Sequence, residues 1–309
     1  MKFITFQTQD GKQAAGWIQG NDLAVDMHAV SKGEMPGSIL EFLSGHEHYT
    51  PYIHELSPFR EGDAGVYRLS EVRLLAPLPR PVSIRDFYAF EEHVKTARQK
   101  RGLDVIPEWY QFPVFYFTNH LAIRGPDEVI DMPPGCLCLD YELEIACVIG
   151  KEGRDIQASE ADDYIFGYCI MNDWSARDIQ REEMKVGLGP AKGKDFATSL
   201  GPFLVSKEEL DSQKINDRYD LKMTAAVNGK VISKGNLKDV YYSFAEMIER
   251  ASAGVTLFPG EVIGSGTVGT GCILELGEEV HRYLEPRDEI ELTIERLGAL
   301  KNKIAAKSG

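Results

Sequence analysis

Short apolar runs broken by Gly, Asn, Asp and Pro recur along the chain, and this pattern predicts many short β-strands. Near the N-terminus the predicted strands are Lys2–Phe6, Ala14–Ile18 and Leu23–Val25. Farther along, the pattern predicts strands at Val114–Phe117, Tyr141–Ile149, Tyr164–Met171, Leu221–Val227, Val231–Ser233, Val262–Ile263, Ile273–Leu276 and Glu289–Ile294. The pair Asn228-Gly229 lies between two of these runs and favours a tight β-hairpin turn.

Helical patterns are fewer than strand patterns. We predict a short helix over Ser38–Leu43, a charged helix over Glu91–Arg101 and a helix over Tyr242–Ala253 that ends at Gly254. The sequence does not alternate between strands and helices as a parallel βαβ sheet does, and it has no glycine-rich nucleotide-binding motif. These observations favour an all-β or β-rich core, arranged as a barrel or a sandwich.

Three prolines in five residues, Pro77, Pro79 and Pro81, interrupt the chain after the first predicted strands. Such a segment propagates neither a helix nor a central strand. We therefore predict a small N-terminal β-rich domain over residues 1–75 and a larger domain over residues 76–309.

The composition restricts the possible partners. The 309 residues include 34 Lys and Arg against 48 Asp and Glu, which gives a net charge of −14. This charge argues against nucleic acid or an anionic membrane as the main partner, because both attract a positive surface. The five cysteines stand mostly in apolar runs and are interpreted as free thiols. Without a recognisable signal segment or an apolar run of about 20 residues, the protein is predicted to be cytoplasmic.

Four acidic residues have apolar or aromatic neighbours in the sequence: Asp86, Glu142, Glu144 and Asp173. An unpaired carboxylate is costly to bury in such surroundings. Glu142 and Glu144 are two positions apart in a predicted strand, so their side chains share one face. A hard divalent cation such as Mg²⁺ or Ca²⁺ would relieve their repulsion. The alternative interpretation is that each acid faces solvent.

His93 follows Asp86 and Tyr88 and lies near the start of the predicted helix Glu91–Arg101. A neutral imidazole beside a metal-bound substrate is suited to act as a general base for water. The competing interpretation is a solvated histidine on a charged helix.

Three further residues have weaker support. Lys194 lies in a glycine-rich loop and could reach a negative oxygen in the site, or could simply be a surface lysine. Thr267 belongs to a second glycine-rich stretch whose backbone N–H groups suit an anion. Glu275 stands in an apolar run that we predict to be a strand, where it either joins the site or faces outward.

Several segments together resemble the fumarylacetoacetate hydrolase family. The resemblance runs from about Asp86 to Glu291, and the Asn-Asp-Trp-Ser-Ala-Arg-Asp run is its most distinctive part. The segments that carry it are Asp86-Phe87-Tyr88 with His93, Asp140–Glu144, Met171–Gln180, Gly193–Phe196 and Ser265-Gly266-Thr267.

The resemblance implies a β-rich α+β fold, built as a mixed β-sandwich or roll and shared across a homodimer. It implies one divalent cation, Mg²⁺ before Ca²⁺ or Mn²⁺, held by the four acids named above. It implies that His93 activates water and that an acid orients it; Glu275 resembles this acid, and Glu92 and Glu108 are the alternatives. The residues expected to contact a small anionic keto acid are Lys194, Gln180, Tyr88, Thr267 and Arg101.

Two positions differ from the members that cleave fumarylacetoacetate. Met184 stands where those members have a tyrosine, and Gly102, next to Arg101, stands where they have an arginine. The resemblance therefore does not specify fumarylacetoacetate itself as the substrate.

The expected activity is metal-dependent hydrolysis of a C–C bond in a β-diketo acid such as fumarylacetoacetate or an acylpyruvate. The first alternative is decarboxylation or isomerisation of oxaloacetate, a 2-oxo acid, at the same metal site. The second alternative is a non-catalytic metal-binding or ligand-binding relative. The presence of His93 argues against this last alternative, because a silent protein has no need for a base that binds no metal.

Overall fold

A computed structural model describes residues 1–56, 58–100 and 102–306. Its strands are β1 (Lys2–Gln7), β2 (Gln13–Gln19), β3 (Leu23–Asp26), β4 (Val66–Arg68), β5 (Arg73–Leu74), β6 (Ile84–Phe87), β7 (Phe115–Phe117), β8 (Ile123–Arg124), β9 (Val129–Ile130), β10 (Leu139–Asp140), β11 (Leu143–Ile149), β12 (Gly153–Arg154), β13 (Ile165–Asp173), β14 (Ser175–Ala176), β15 (Thr198–Ser206), β16 (Lys214–Ile215), β17 (Arg218–Tyr219), β18 (Lys222–Val227), β19 (Lys230–Asn236), β20 (Thr256–Leu257), β21 (Val262–Gly264), β22 (Glu289–Ile294) and β23 (Gly298–Ile304).

The helices are fewer than the strands. The α-helices are α1 (Met27–Val30), α2 (Ile39–Leu43), α3 (His46–Leu56), α4 (Glu91–Gln99), α5 (Arg177–Val186), α6 (Phe244–Ser252) and α7 (Ile273–Leu276). Short 3₁₀ helices lie at Leu69–Glu71, Pro107–Tyr110, Ala161–Tyr164, Lys207–Gln213 and Leu237–Asp239. Strand residues (33%) outnumber helical residues (24%), which confirms the predicted β-rich α+β class.

Two large sheets form the core. The larger has the order β4-β3-β2-β1-β15-β13-β11-β21-β6-β7, with β5 paired to β1 and β8 paired to β15. The second has the order β19-β18-β22-β23-β9. Leu292 and Leu300 of the second sheet join the same hydrophobic cluster as Ile145 and Ile170 of the first. All residues of β11 and β13 are buried, which explains their continuous apolar sequences.

The strand order places the acidic segments side by side. Strands β13, β11, β21 and β6 are neighbours in the sheet. Gly264 of β21 is in register with Ala146 of β11 on one side and with Asp86 of β6 on the other. Residues separated by nearly two hundred positions in the sequence therefore lie at one end of adjacent strands.

Several predicted elements are confirmed. The hairpin of β18 and β19 turns at Asn228 and Gly229, whose φ values of 50° and 78° match a type I′ turn. Strand β22 covers the predicted residues Glu289–Ile294. Helix α6 begins after Ser243, which forms a capping box with Glu246.

The strand predicted at Ile273–Leu276 is wrong, because these residues form helix α7. The carboxylate of Asp140 accepts hydrogen bonds from the N–H groups of Ile273 (2.8 Å) and Leu274 (3.0 Å). These contacts satisfy the first free donors of a helix and favour that conformation. The capping acid is distant in sequence, so the local apolar pattern indicated a strand instead.

Helices α3 and α5 were not predicted. Helix α5 has the sequence Arg-Asp-Ile-Gln-Arg-Glu-Glu-Met-Lys-Val, in which only Arg177 is buried. A helix that is mostly exposed lacks the apolar stripe on which sequence recognition depends. Helix α4 agrees with the predicted helix as far as Gln99, while its predicted end at Arg101 lies outside the described residues. In the described ranges we find no helix with the length and apolar character needed to cross a membrane.

The N-terminal strands are integrated with the larger sheet. Lys2 and Phe3 of β1 pair with Val205 and Leu204 of β15. The Phe3 ring packs 4.9 Å from that of Phe42 and 5.2 Å from that of Phe166. The proposed division at residue 75 stays a prediction, but the two parts share one sheet and one hydrophobic cluster.

Removal of the Phe3 ring should destabilise the whole chain. We expect Phe3→Ala to lower the free energy of unfolding by about 3–5 kcal/mol, because a buried aromatic ring is lost. Chemical denaturation followed by circular dichroism measures the effect. The control Phe258→Ala, at a ring that is 45% exposed, should change stability by about 0.5 kcal/mol or less. Two separate transitions, with only one shifted by Phe3→Ala, would contradict the shared core.

Candidate active site

Four buried carboxylates converge at the end of adjacent strands. Asp86 lies in β6, Glu144 in β11 and Asp173 at the end of β13, while Glu142 immediately precedes β11. Each offers one oxygen, and these oxygens all lie within 4.8 Å of one another. The four residues are at most 4% exposed. The structure thus brings together the four acids that the sequence analysis identified.

Two glycines make this approach possible. A Cβ atom at Gly264 would lie 2.6 Å from Asp86 Oδ1, so a larger residue here would displace the Asp86 carboxylate. Gly266 has φ of +75°, and its N–H donates a 3.2 Å hydrogen bond to Asp86 Oδ1. The backbone after β21 therefore both makes room for Asp86 and orients it.

Hydrogen-bond donors hold one side of the carboxylate cluster. Arg177 donates to Glu142 Oε1 (2.8 Å), and Lys194 donates to Glu142 Oε2 and to Asp173 Oδ2 (2.6 Å). Tyr116 also donates to Asp173 Oδ2. These contacts involve neither Asp173 Oδ1 nor the oxygens of Asp86 and Glu144.

The remaining oxygens fit a hard cation. Thr267 Oγ1 donates to Glu144 Oε1 (3.2 Å), yet Glu144 Oε2 is buried without a hydrogen-bond partner in the described ranges. Within the same ranges, Asp173 Oδ1 is likewise buried without a hydrogen-bond partner. A buried carboxylate oxygen without a donor is costly, and an oxygen-binding divalent cation removes that cost. The donor set therefore suits Mg²⁺, Ca²⁺ or Mn²⁺.

Electrostatics distinguish the four acids. Burial, with Asp173 nearby, holds the pKa of Asp86 well above its ordinary value. Burial, together with Asp86, raises the pKa of Glu144 in the same way. Burial also raises the pKa of Asp173 despite Lys194. At Glu142 burial acts in the same direction, but Lys194 and Arg177 outweigh it and lower the pKa.

His93 lies beside this cluster and is not a solvated helix residue. It is 4% exposed and lines the same cavity as Asp86, Glu142 and Glu144. Its Nδ1 atom lies 3.0 Å from Glu275 Oε2. The Tyr88 ring contacts the imidazole edge to face, with ring centroids 5.3 Å apart.

Glu275 is positioned by the short helix α7. It is 6% exposed, so it does not face outward as one sequence interpretation allowed. Its Oε1 atom accepts a 3.2 Å hydrogen bond from the N–H of Thr270. Contacts at both carboxylate oxygens therefore fix Glu275 where it can orient His93.

A cavity of about 790 Å³ contains most of the predicted site residues. Tyr88, Gln180, Lys194 and Thr267 line it, whereas Glu275 lies behind His93 and Arg101 lies outside the described residues. Lys194 and Thr267 contact the carboxylate cluster, so the substrate contacts predicted for them stay predictions. The cationic residues that line the cavity are Arg98, Lys100, Arg177, Arg181, Lys185 and Lys194.

The sequence analysis missed two residues of the site. Tyr116 reaches Asp173 because β7 pairs with β6, with Tyr116 in register with Asp86. No local signal marks this tyrosine. Arg177 stands in the distinctive Asn-Asp-Trp-Ser-Ala-Arg-Asp run, and that position could have identified it. It bridges Glu142 and Asp140, at 2.8 and 2.9 Å.

Comparisons with known proteins agree with the family resemblance seen in the sequence. The family model described as fumarylacetoacetate hydrolase, C-terminal, matches residues 83–305. An oxaloacetate tautomerase from Bacillus subtilis is 30% identical, over 98% of this chain and 100% of the relative. The crystal structure of a 5-carboxymethyl-2-hydroxymuconate delta-isomerase from Mycobacterium smegmatis superposes with a TM-score of 0.71 and 27% identity, covering 99% of this chain and 100% of that chain. A fumarylacetoacetate hydrolase from Exiguobacterium antarcticum gives 0.74 and 28%, with the same coverage.

Cation binding should depend on pH. Because Asp86 and Glu144 have raised pKa values, protons compete with a cation for their oxygens. We expect a fixed, subsaturating Mg²⁺ concentration to raise Tm more at about pH 8 than at about pH 6. In the cation-free protein, a rise in pH should instead lower the stability of the fold. A carboxyl whose pKa is raised by folding destabilises the fold as pH rises above its unfolded value of about 4.

Thermal unfolding with and without Mg²⁺ measures this effect. Glu144→Gln should remove most of the Mg²⁺-induced shift in Tm, because it replaces a charged ligand by a neutral amide. The matched control Glu182→Gln, on the exposed face of α5, should retain the shift. An equal shift at both pH values that survives Glu144→Gln would contradict this site.

Proposed function

Because the chain belongs to the fumarylacetoacetate hydrolase family, we propose that it catalyses keto–enol tautomerisation of oxaloacetate or a closely related 2-oxo dicarboxylate. The observation that carries this proposal is the position of His93. The imidazole is buried, paired with Glu275 and adjacent to the carboxylate cluster in one cavity. The similarity to an oxaloacetate tautomerase over nearly the full length of both chains supports it.

The charge of the cavity supports a dianionic substrate. The protein as a whole is acidic, yet six cationic side chains line this cavity, some near the cation site and some on α4 and α5. Such a local excess of positive charge attracts anions and raises their concentration at the site. One carboxylate of a dicarboxylate would lie close to the cluster, and the other would face Arg98, Arg181 or Lys185.

The acids of the cluster would hold one divalent cation. When bound, that cation supplies Lewis-acid polarisation to the 2-oxo group of the substrate. Arg177 and Lys194 keep Glu142 charged and oriented by hydrogen bonds. Gln180, whose Oε1 accepts a 3.1 Å hydrogen bond from Arg177, presents its amide to the cavity.

His93 moves the proton. Since its Nδ1 atom faces Glu275, Nε2 remains to accept a proton from carbon 3 of the keto acid. The electron pair of that C–H bond forms the C2–C3 double bond, and the negative charge moves to the oxygen on carbon 2. Return of the same proton from Nε2 to that oxygen completes the enol and regenerates the neutral imidazole. Glu275 stabilises the imidazolium that forms in between, as a carboxylate does in other histidine pairs.

Hydrolysis of a C–C bond is the second candidate, and the size of the cavity favours it. About 790 Å³ is more than a four-carbon acid needs and would admit a longer acylpyruvate with a water molecule. The similarity to a fumarylacetoacetate hydrolase agrees with this reaction. In hydrolysis His93 would take its proton from water instead of from carbon. Hydrolysis and oxaloacetate decarboxylation stay predictions, and the enzyme family argues against a silent binding protein.

A substrate panel distinguishes the reactions. With Mg²⁺ present, we expect the protein to accelerate loss of the ultraviolet absorbance of enol-oxaloacetate, with oxaloacetate recovered intact by mass spectrometry. Acylpyruvates should be converted much more slowly. Release of pyruvate and a carboxylic acid from an acylpyruvate, at a rate above that of tautomerisation, would favour the hydrolase and contradict the proposal.

His93→Gln tests the proposed base. We expect kcat to fall by about 10²- to 10⁴-fold, the usual contribution of a general base, while Mg²⁺ binding is retained. Isothermal titration with Mg²⁺ and steady-state kinetics measure the two effects. The control His48→Gln, at an exposed histidine of α3, should change neither. Loss of Mg²⁺ binding in His93→Gln would mean that His93 acts as a ligand instead.

A further inference from the structure

We propose a second cation site, for a thiophilic divalent ion such as Zn²⁺, formed by His93, Cys272 and Glu275. His93 lines the cavity, and the side chains of Cys272 and Glu275 lie behind it. One ligand atom from each lies within 4.8 Å of the others, and all three residues are buried. This group shares no residue with the carboxylate cluster.

Two short elements build the site. Cys272 is the N-cap of α7 and Glu275 is three residues later, so both side chains lie on the same side of that helix. The Cys272 Sγ atom lies 3.5 Å from Glu275 Oε2, and His93 Nδ1 lies 3.0 Å from the same oxygen. Helix α4 packs against α7 and supplies the histidine.

The donor atoms select a different metal from the carboxylate cluster. Nitrogen, thiolate sulfur and one carboxylate oxygen are a typical ligand set for Zn²⁺, at bond lengths of about 2.0–2.3 Å. Four carboxylates favour a hard ion such as Mg²⁺ instead. A Zn²⁺ ion bound by a thiolate and a carboxylate would also be neutralised locally, because two negative ligands balance its charge.

A second observation points to a ligand here. In the described part of the chain, the buried His93 Nδ1 atom has no aligned hydrogen-bond partner, although Glu275 Oε2 is near it. A buried ring nitrogen without an aligned partner is costly, and a cation between Nδ1 and the carboxylate satisfies both groups. Binding requires Cys272 to lose its thiol proton to solvent and involves no oxidation or reduction.

Occupancy would block proton transfer. An ion bound to Nδ1 prevents Glu275 from stabilising a protonated His93, because the cation takes the position of the Nδ1 proton. Zn²⁺ should therefore inhibit turnover without displacing Mg²⁺ from the acids. This inhibition rests on the proposed role of His93, whereas the binding itself does not.

Co²⁺ provides a direct probe, because a thiolate ligand to Co²⁺ gives a charge-transfer absorption band that oxygen ligands do not. We expect one added equivalent of Co²⁺ to produce this band in the Mg²⁺-saturated protein, and Zn²⁺ to abolish it by competition. Absence of the band from the wild-type protein would overturn the proposal.

Substitutions assign the band. Cys272→Ser should remove it, whereas Cys138→Ser, which disrupts the partly exposed Cys136-x-Cys138 pair, should keep it. Glu275→Gln is the second variant, and it should weaken Co²⁺ binding by more than the about 10- to 100-fold that loss of an outer contact costs. A band that survives Cys272→Ser and disappears in Cys138→Ser would contradict the site.

Turnover separates this proposal from the proposed function. In the Mg²⁺-saturated wild type, Zn²⁺ should abolish most activity, and added Mg²⁺ should not restore it. Cys272→Ser, compared with its own rate without Zn²⁺, should need at least about tenfold more Zn²⁺ for the same fractional loss. A cobalt band without any inhibition would confirm the site and refute the proposed use of the His93–Glu275 pair.

Discussion

Mutual repulsion among four buried carboxylates is the constraint on which the catalytic part of this protein depends. Four acids that are nearly inaccessible to solvent cannot all remain charged at this distance without compensation. Lys194 and Arg177 provide part of that compensation through ion pairs, and Tyr116, Thr267 and the backbone of Gly266 add hydrogen bonds. The raised pKa values of Asp86 and Glu144 show that this compensation is incomplete in the protein alone. A divalent cation would complete it.

The same constraint explains features of the sheet. Neighbouring strands must present their acids at one end, and the intervening strand must leave room for the Asp86 carboxylate. Gly264 of β21 meets this requirement between β11 and β6. The fold is therefore adapted to the cluster at the backbone level, and not only through the choice of acidic side chains.

Chemical hardness divides the site into two parts. The acids offer only oxygen, while His93, Cys272 and Glu275 offer nitrogen, sulfur and oxygen. In the proposed reaction the first part polarises the substrate and the second moves a proton. The reaction depends on whether carbon or water gives its proton to His93.

Elements whose signals are local could be predicted from the sequence. Asn228-Gly229 predicted its hairpin, and continuous apolar runs predicted the buried strands β11 and β13, because turn chemistry and burial act on neighbouring residues. The four acids were recognised because an acid among apolar neighbours is unusual, and the family resemblance then linked them.

Features that depend on distant residues could not be predicted in this way and emerge from the assembled fold. Helix α7 exists as a helix because Asp140, more than a hundred positions earlier, satisfies its first N–H groups. Tyr116 reaches Asp173 through strand pairing, and β1 joins β15 across most of the chain. Local periodicity carries no information about such partners, since hydrogen bonds and burial between distant segments form only when the sheet is assembled.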